Sequence, residues 1–487
     1  MSVPAFDPNN FVAGDPIDNP YMVLRPGTTF LTRSETEDGL ETGTRTVTRD
    51  TVQILGITCV EVIDIVRLDG EIIERTHEWF AQDKDGTVWY FGEFSQELEN
   101  GKVVSTEGSW KAGVNGALPG IVMLGHPEVG DEYAQEFAPG IAEDRGRVVA
   151  LNNSAAVPYG AFQHLLVTED TNPLEPGTSE RKYYAPGIGE ILTIEAEGNP
   201  NELAGIRVFG TSGADSLLGY VGGDVLDGLG GADVARGLQG NDTYIARQPG
   251  DRAVELAGQG HDRVNAFVDY VLDRNVEDLH LLGDARNGTG NGLANALFGN
   301  QRDNNLLGLR GADDLFGGTG ADLLDGGDGD DDLFGNVGND RLLGQAGSDR
   351  LHGGDGADQL NGGADADRLF GDHGRDTMTG GTGRDIFQFD DGDTGATQSS
   401  ADRITDFNRA QSDLINLQPV DARSDVAGDQ GFTFIGSQGF SGHSGELRFE
   451  ASGGHLFVEG DVNGDRVADL VIQVDGPAQL VATDFAV

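Results

Sequence analysis

Apolar residues recur with two different periods along this chain, and each period predicts a different kind of β structure. In about the first 200 residues they alternate with polar residues in short runs such as EVIDIVRL, IIERTHEWF and TVWYFGEF. Asp69-Gly70, Asp85-Gly86 and Asn100-Gly101 separate these runs, and such dipeptides favour tight hairpin turns. The pattern predicts an antiparallel β-meander of about nine or ten strands, either a curved sheet or an open barrel. Such a shape can hold a small apolar ligand, although an ordinary filled core is the simpler expectation.

A nine-residue period replaces the alternation farther along the chain. Nine consecutive frames from Gly308 to Gln388 have aspartate at the sixth position and an apolar residue at the eighth, as in GGTGADLLD and GGDGADQLN. A shorter block from Gly210 to Ile245 follows the same pattern. The eighth positions of the long block are Leu315, Leu324, Leu333, Leu342, Leu351, Leu360, Leu369, Met378 and Phe387.

The register assigns a structural task to each type of residue. Glycine at positions one, two and four permits backbone conformations that a Cβ atom would forbid. The first six residues are therefore predicted to form a tight turn with inward carbonyl oxygens. The last three are predicted to form a short strand whose eighth side chain points to a core. Two frames, or 18 residues, then make one coil of a solenoid.

Stacking the coils would align the sixth-position aspartates in two columns. At a strand separation of about 4.8 Å, two carboxylates repel by about 0.8 kcal/mol in water and about 3–4 kcal/mol at an effective dielectric near 20. A hard cation that takes six to eight oxygen ligands, such as Ca²⁺, removes this conflict. We therefore predict that Ca²⁺ binding and folding are coupled. The predicted calcium ligands are Asp215, Asp224, Asp233, Asp242, Asp313, Asp322, Asp331, Asp340, Asp349, Asp358, Asp367, Asp376 and Asp385.

This nonapeptide resembles the repeat of the RTX (repeats-in-toxin) family over about 180 residues. The resemblance implies a parallel β-roll that binds several calcium ions. Asp365 departs from it at a fourth position, and Asn295 and Asn304 depart from it at sixth positions, so these coils are expected to stack without binding metal well. The stretch from Ala246 to Phe298 resembles the spacer of RTX arrays, which implies a continued solenoid without metal.

The segments DRITDFNRAQSDLINL and GDVNGDRVADLVIQV resemble the C-terminal domain of serralysin-type secreted proteases over about 100 residues. In that family the domain caps the roll and carries an uncleaved signal for type I (ABC) secretion. The last residues, Asp484 to Val487, match its pattern of an acidic residue before a short apolar end. The protease half of the family is missing, so proteolysis is not implied.

A further acidic loop lies inside this C-terminal region. Asp461, Asn463, Asp465 and Asp469 have the one-three-five-nine spacing of a calcium loop. However, Arg466 stands where such loops have glycine, and the twelfth position is not acidic. The sequence leaves two readings open, a bound ion and an ordinary polar turn.

The amino-acid composition limits which binding partners and which cellular compartment are expected. A formal charge of −50 and a pI near 4.2 disfavour nucleic acid and anionic membrane surfaces and suit cations. Cys59 is the single cysteine and is expected to be a buried strand residue, so no intramolecular disulfide is expected. No apolar run approaches a transmembrane helix, and the N-terminus lacks the basic and apolar stretches of a cleaved signal peptide. We therefore expect an extracellular protein exported without a cleaved signal.

The N-terminal part carries no recognisable catalytic motif. Its strings WYFGE, EGSW and KYYAPGIGEI resemble uncharacterised bacterial secreted proteins, which names no activity. His77-Glu78 begins like a zinc-protease HExxH motif, but Ala81 stands where the second histidine is required. No GxSxG elbow and no phosphate loop occurs either. We expect a module that binds a ligand or surface and is not an enzyme, and the alternative is a hydrolase with a site outside the known motifs.

The predicted fold is all-β, with an antiparallel β-meander domain, a parallel β-roll and a β-rich C-terminal cap. The calcium ions and, during export, the type I secretion apparatus are the expected partners. The predicted divisions are 1–20 for an N-terminal leader, 21–205 for the antiparallel domain, 206–245 for the first roll block, 246–298 for the spacer, 299–389 for the second roll block and 390–487 for the cap and secretion signal.

Overall fold

A computed structural model describes residues 5–195, 198–425, 428 and 430–487 of the protein. These residues form β structure almost throughout, with 3₁₀ helices at Pro8–Asn10 and Ala482–Asp484, which confirms the all-β prediction. The chain divides into two compact units, Met1–Thr243 and Tyr244–Val487. The first unit therefore includes the coils of the first repeat block as well as the antiparallel sheet.

The strands of the antiparallel part follow one another with short turns. They are β1 (Ile17–Asn19), β2 (Met22–Leu24), β3 (Thr28–Thr36), β4 (Gly39–Ile54), β5 (Ile57–Leu68), β6 (Glu71–Gln82), β7 (Val88–Glu99), β8 (Lys102–Ser105), β9 (Trp110–Lys111), β10 (Gly120–Met123), β11 (Glu132–Ala134), β12 (Arg145–Val157), β13 (Gly160–Thr171), β14 (Ser179–Ala185), β15 (Gly189–Glu195) and β16 (Asn201–Thr211).

These strands form one continuous antiparallel ladder. Strands β3 to β7 pair in sequence order, β11 to β16 do the same, and β16 pairs with β3 to join the two halves. Strand β10 pairs with β7, and a bridge between Leu118 and Phe137 brings the two ends of the ladder together. The sheet therefore curls into a barrel, which confirms the predicted meander.

Residues 5–20, which belong to the segment predicted as a leader, pack against this barrel. Strand β1 pairs with β2, and the Asn19 side chain donates hydrogen bonds to the carbonyl oxygens of Gly86 (2.8 Å) and Leu124 (3.0 Å). The ring of Phe11 lies 5.9 Å from that of Phe91, which is fully buried. Residues 5–20 are thus held by tertiary contacts.

Strand β16 belongs to the barrel and to the roll at once. Its residues 202–208 pair antiparallel with β3, while Ile206 to Thr211 pair in parallel with the next strand of the first roll block, Asp224–Leu229. The division predicted at residue 205 falls inside this strand. Cutting there would break hydrogen bonds on both of its edges.

The roll and cap contain the remaining strands. They are β17 (Ser216–Leu218), β18 (Asp224–Leu229), β19 (Val234–Arg236), β20 (Thr243–Ala246), β21 (Arg252–Ala253), β22 (Arg263–Ala266), β23 (Tyr270–Val271), β24 (Asp278–Leu281), β25 (Asn287–Thr289), β26 (Ala296–Phe298), β27 (Asn305–Arg310), β28 (Asp314–Thr319), β29 (Leu323–Asp328), β30 (Asp332–Val337), β31 (Arg341–Ala346), β32 (Arg350–Asp355), β33 (Gln359–Ala364), β34 (Arg368–Phe370), β35 (Thr377–Thr382), β36 (Ile386–Gln388), β37 (Asp402–Ile404), β38 (Leu414–Asn416), β39 (Thr433–Phe434), β40 (Glu446–Ser452), β41 (His455–Asp461), β42 (Leu470–Val474) and β43 (Phe485–Ala486).

Each strand of the long block up to β34 pairs in parallel with the strand 18 residues later, as the nine-residue register predicts. Leu315 pairs with Leu333, which pairs with Leu351, and that residue pairs with Leu369. The eighth-position side chains of the long block are at most 1 % exposed, so they form the core of the roll there. The spacer strands β22, β24 and β26 continue the same ladder, which confirms that the spacer is part of the solenoid.

The strands of the regular coils are longer than the three residues predicted. Strand β28 has six residues and runs from the seventh position of one frame to the third position of the next. The glycines at position one lie within these strands and are buried, as Gly317 is. The tight turn is therefore shorter than six residues.

The fourth-position glycines are required by the packing of successive turns. Gly329 has φ +157°, and a Cβ atom on it would lie 1.4 Å from the carbonyl oxygen of Gly311 in the previous coil. Asp365 occupies the same position with φ +78°, a left-handed conformation that aspartate tolerates better than most residues. That frame stays in register, with β34 paired to β36.

The cap continues both faces of the roll. Strand β37 pairs in parallel with β35, and β38 pairs in parallel with β36. Strand β42 then extends the first face and leads into the antiparallel strands β41 and β40, while β43 extends the second. The end of the roll is thereby covered by β structure.

Candidate metal centre

The sixth-position aspartates of the long block form two internal columns. Column A contains Asp313, Asp331, Asp349, Asp367 and Asp385, and column B contains Asp322, Asp340, Asp358 and Asp376. Each of these side chains is at most 2 % exposed.

One carboxylate oxygen of each column aspartate is used by the fold. The backbone N–H of Asp331 donates to Asp349 Oδ1 at 2.9 Å, and the N–H of Asp349 donates to Asp367 Oδ1 at the same distance. Equivalent bonds link the members of column B. Every aspartate therefore ties its coil to the coil before it.

The second carboxylate oxygen has no hydrogen-bond partner among the described residues. This orphan oxygen, Oδ2, is buried in Asp313, Asp322, Asp331, Asp340, Asp349, Asp358, Asp367, Asp376, Asp385 and Asp402. A buried, unpaired polar atom costs free energy, and a charged one costs more. Each of these positions is therefore incomplete without a positive charge or a proton.

Asn295 and Asn304 stand at the sixth position in two frames, and their contacts show which type of group completes the site. Asn295 Oδ1 accepts the N–H of Asn291, whereas its Nδ2 donates to the carbonyl oxygens of Val276 (3.2 Å) and Glu277 (3.0 Å). Asn304 donates in the same way to two carbonyls of its preceding coil. An amide N–H₂ therefore stands among oxygen atoms at this position. Aspartate has no such donor, so a cation suits the aspartate positions.

The first-position glycines form the other wall of the site. A Cβ atom on Gly308 would lie 2.5 Å from Asp313 Oδ2 and 2.6 Å from the carbonyl oxygen of Gly326. Gly335 is similar, with Gly353 O at 2.5 Å and Asp340 Oδ2 at 2.6 Å. Carboxylate and carbonyl oxygens thus converge on a space that only glycine leaves open. Oxygen-only ligand sets of this kind fit Ca²⁺, which takes carboxylate and backbone carbonyl ligands.

Burial is the main reason that these carboxylates resist ionisation in the metal-free protein. It raises the pKa of Asp313 and Asp349 to about 7, and that of Asp367 and Asp376 to about 8. The charge of the next aspartate in the column raises the pKa as well, as Asp331 does for Asp313, but it is a smaller cause than burial. The repulsion between carboxylates that the sequence predicts is therefore a smaller cost than their burial. A bound cation would relieve both.

Both columns extend into the cap, which the nine-residue pattern did not reveal. The N–H of Asp376 donates to Asp402 Oδ1 at 2.8 Å, and the N–H of Asp385 donates to Asp413 Oδ1 at 3.2 Å. The steps are 26 and 28 residues instead of 18. The local sequence could have identified these two aspartates, because an apolar residue follows each of them two positions later, in DRI and DLI.

The first block is built differently at two of its four predicted ligands. Asp215 Oδ2 accepts hydrogen bonds from the N–H (2.6 Å) and hydroxyl (2.8 Å) of Thr211. Asp224 Oδ1 accepts from the Tyr159 hydroxyl of the barrel at 2.6 Å, and its Oδ2 accepts from the N–H of Tyr220. Protein donors therefore occupy these two carboxylates. Asp233 and Asp242 receive the N–H groups of Asp215 and Asp224 and extend the same stacking.

The acidic loop of the cap closes on itself. Asp461 accepts hydrogen bonds from the N–H groups of Gly464 (2.7 Å) and Arg466 (2.9 Å). Asp469 accepts from the N–H of Val462 and from the Asn463 amide. These contacts are those of a polar turn, the second of the two readings left open by the sequence.

Cys59 and His77, two barrel residues considered in the sequence analysis, have structural rather than catalytic surroundings. Cys59 is fully buried, and burial raises the pKa of its thiol to about 12. His77 Nδ1 lies 3.1 Å from Glu61 on the neighbouring strand, and so it forms a cross-strand pair. Among the described residues, no helix has both the length and the apolar character needed to cross a membrane.

Fold and site together define a parallel β-roll whose glycine-rich turns hold buried columns of aspartate. The family model described as the RTX calcium-binding nonapeptide repeat (4 copies) matches residues 209–244, 289–324, 298–333, 325–360, 334–369 and 352–387. The chain therefore contains RTX calcium-binding repeats in this region, as the sequence predicted.

Comparison with whole proteins adds little to this result. A solved structure of a candidate lipoprotein from Parabacteroides distasonis is similar to 38 % of this chain and 96 % of its own, at 11 % identity and a TM-score of 0.19. That TM-score carries no argument about fold or function. The search of curated proteins gave no match.

Proposed function

We propose that the protein binds several structural Ca²⁺ ions in the two aspartate columns of its roll. The observation that carries the proposal is the set of buried Oδ2 atoms without hydrogen-bond partners, beside asparagines that place N–H₂ groups at the same register. In the bound state Ca²⁺ would supply positive charge to the orphan oxygens. The column aspartates and the first-position carbonyls would hold it.

The chemistry of the donor set favours Ca²⁺ over Mg²⁺. Magnesium demands near-ideal octahedral geometry and gives up its waters reluctantly, whereas calcium accepts irregular sets of six to eight oxygens. The atoms that converge beside the first-position glycines are carboxylate and carbonyl oxygens. We expect Mg²⁺ to substitute poorly.

Calcium stoichiometry of the full chain tests this proposal. Asp349→Asn should lower the number of bound Ca²⁺ ions, because its amide would donate to the carbonyls as Asn295 does. Asp365→Asn is a matched control, because Asp365 is exposed and asparagine tolerates its left-handed backbone equally well. A full calcium complement in Asp349→Asn, measured by calorimetry and elemental analysis, would contradict the proposed ligands.

We also propose that the protein is exported through a type I secretion system and folds on meeting extracellular calcium. The resemblance of the cap to that of serralysin-type proteases supports this proposal. Extracellular calcium modules have dissociation constants near 10⁻⁴–10⁻³ M, so a chain of this kind would stay unfolded at cytosolic calcium levels. An unfolded chain can pass through a narrow export channel.

For the barrel we propose ligand binding rather than catalysis. A cavity of about 230 Å³ inside the first unit supports this idea, since concave sites with a few polar groups commonly hold small molecules. The lack of a nucleophile or zinc-ligand motif in the sequence is in keeping with it. A screen of small ligands against the full chain, followed by an assay for their conversion, separates binding from a hydrolase.

A further inference from the structure

The barrel contains a cavity with one apolar wall and one charged wall. Met22, Leu24, Phe30, Phe80 and Ile188 contribute the apolar wall. The rings of Phe80 and Tyr90 stack at 4.9 Å, which makes a flat aromatic surface. This interior differs from the filled core expected from sequence, because strands with inward-facing charged residues cannot pack their side chains without gaps.

Carboxylates outnumber cationic groups around the cavity by six to two. Arg45 lies 3.8 Å from Glu78 and 3.6 Å from Glu190, so its charge is already balanced. Lys182 likewise lies 3.2 Å from Asp170. The six carboxylates are Asp64, Glu78, Glu93, Glu136, Asp144 and Glu190.

Three of these carboxyl groups form no ion pair among the described residues, although the positive charge of Lys182 favours the ionised form of Asp144 and Glu136. Glu93 accepts a hydrogen bond from the Tyr90 hydroxyl at 2.9 Å, and Glu136 accepts a long one of 3.5 Å from the Trp110 indole. The Oδ1 atom of Asp144 is buried and has no hydrogen-bond partner. Carboxyl groups are thus concentrated in one part of the cavity.

We propose that this cavity binds a small organic cation, a primary ammonium with an aromatic or apolar body. Glu93, Glu136 and Asp144 would face the ammonium group, and Tyr90 and Phe80 would face the body. Aromatic faces and carboxylates together are the usual surroundings of bound organic cations. The inference rests on the proposed role of the barrel as a binding module and is independent of calcium binding by the roll.

A single metal ion is a poorer occupant of the same carboxylates. The ligand oxygens of Glu93, Glu136 and Asp144 do not all lie within 4.8 Å of one another, so one ion could not bind all three together. An extended cation can reach them through separate hydrogen bonds. Ammonium groups supply three donors for this purpose.

The protonation of the carboxylates supports this assignment. Burial, followed by the charge of Glu78, raises the pKa of Glu93 to about 7. Burial, followed by the charge of Glu93, raises the pKa of Glu136 to about 8. Both groups hold protons near neutrality in the empty cavity, and a bound cation would take over the role of those protons.

Calorimetric titration of the full, calcium-loaded chain with three matched probes at about pH 9, above the pKa of Glu93 and of Glu136, tests the proposal. The probes are 2-phenylethylammonium, neutral 2-phenylethanol and anionic 3-phenylpropionate. We expect the ammonium to bind at least roughly tenfold more tightly than the alcohol, as expected of hydrogen bonds to charged groups, and the anion not to bind. Absence of ammonium binding, or equal binding of the alcohol or the anion, would overturn the proposal.

Substitutions assign the binding to the cavity. Glu93→Gln and Glu136→Gln should each weaken ammonium binding roughly tenfold, because a charged partner is lost. Glu97→Gln lies on the same strand but is exposed and outside the cavity, and it should bind like the original chain. Loss of binding in all three variants, or in none, would overturn the assignment.

Calcium stoichiometry measured on the same samples keeps the two proposals apart. A chain that binds calcium but no ammonium removes the cavity inference alone. A chain that binds the ammonium but lacks calcium sites removes the proposed function of the roll alone. Circular dichroism of each variant checks that the barrel is folded.

Discussion

A column aspartate in this roll has two separate tasks. Its Oδ1 accepts the backbone N–H of the coil before it, and its Oδ2 is left for a cation. A single side chain can therefore connect the stacking of coils to metal binding. Asn295 and Asn304 link to the preceding coil differently, because their amide Nδ2 groups donate to its carbonyl oxygens where the aspartates would need a cation.

Aspartates of the two blocks should differ in their effect on calcium binding. Asp349→Ala should remove more bound calcium than Asp215→Ala, because Asp349 Oδ2 has no protein donor, whereas Thr211 already donates to Asp215. Asp349 also lies in the middle of its column, between Asp331 and Asp367. Equal losses of stoichiometry in titrations of the two variants would contradict the stacked arrangement.

The metal-free roll should become less stable as the pH rises. The folded chain binds protons that the unfolded chain releases, since the pKa of Asp367 is about 8 in the fold and 3.8 is its ordinary value. Stability in chelator is therefore fullest below pH 3.8 and is lost progressively as the pH rises to about 8. Circular dichroism in chelator should therefore show less β structure at pH 8 than at pH 5.

Calcium provides the control for the pH experiment. With saturating Ca²⁺ the decline should disappear, because the ion replaces the protons, and calcium affinity should increase over the same pH range. A metal-free β signal that stays constant or rises between pH 5 and pH 8 would show that the column carboxylates are not protonated in the fold.

At the scale of the element, one coil is stabilised by two stacks of side chains. Inside the roll, Leu324, Leu342 and Leu360 lie in register and are buried. Outside it, ninth-position rings stack on one face, with Phe298 and Phe316 at 4.7 Å between centroids. The outer stack continues through Phe334, His352 and Phe370. The sequence prediction gave no role to the ninth position, so it did not include this outer stack.

Two adjacent leucines on opposite faces of β31 allow the inner stack to be tested. Leu342→Ala should cost about 2–5 kcal/mol, because Leu342 is fully buried and the coil cannot collapse around the cavity. Leu343→Ala removes the same number of carbon atoms from a half-buried outer position and should cost less. Denaturant unfolding in saturating calcium compares them, and equal losses would contradict the single internal core.

The whole molecule combines parts with different needs for calcium. In the barrel, cross-strand hydrogen bonds and a buried aromatic core need no ion, and the first coils have Thr211 and Tyr159 as donors to their aspartates. The columns of the second unit have orphan oxygens. Removal of calcium should therefore affect the two units unequally.

Tryptophan fluorescence can separate the two responses. Trp79, Trp89 and Trp110 are the three tryptophans of the chain, and the last two are nearly fully buried in the barrel. On chelation we expect the blue-shifted emission to change little while the β signal in circular dichroism falls. If the emission moved to that of an unfolded chain, the barrel would depend on the roll through the shared strand β16.

The C-terminal tail provides a test of export. Deleting residues 484–487 should retain the protein in cells that carry its cognate transporter, because the proposed signal is lost. The tail is also structural, since Asp484 pairs with Arg409 at 2.5 Å and Phe485 pairs with Ile415. Arg409→Gln weakens the same contact but keeps the last four residues, and it should still be exported. Export of the deletion variant at normal levels would contradict the proposal.

Much of the roll can be predicted from the sequence because its geometry is local and repeated. A register of aspartate, leucine and glycine determines the coil length, the inner core and the membership of both columns, and the structure places these residues accordingly. The meander is likewise visible in the hairpin turns. These features depend on neighbours at constant spacing, so the pattern of residue types is sufficient to find them.

Only the tertiary structure decided which groups meet across irregular connections. Asp402 and Asp413 join the columns after loops of non-repeating length, and Tyr159 of the barrel reaches Asp224 of the first coil. Strand β16 pairs with strands of both the barrel and the roll, and Glu93 lines a cavity. Such contacts join residues far apart in sequence, and they depend on how loops and curved strands close in space, which residue spacing does not specify.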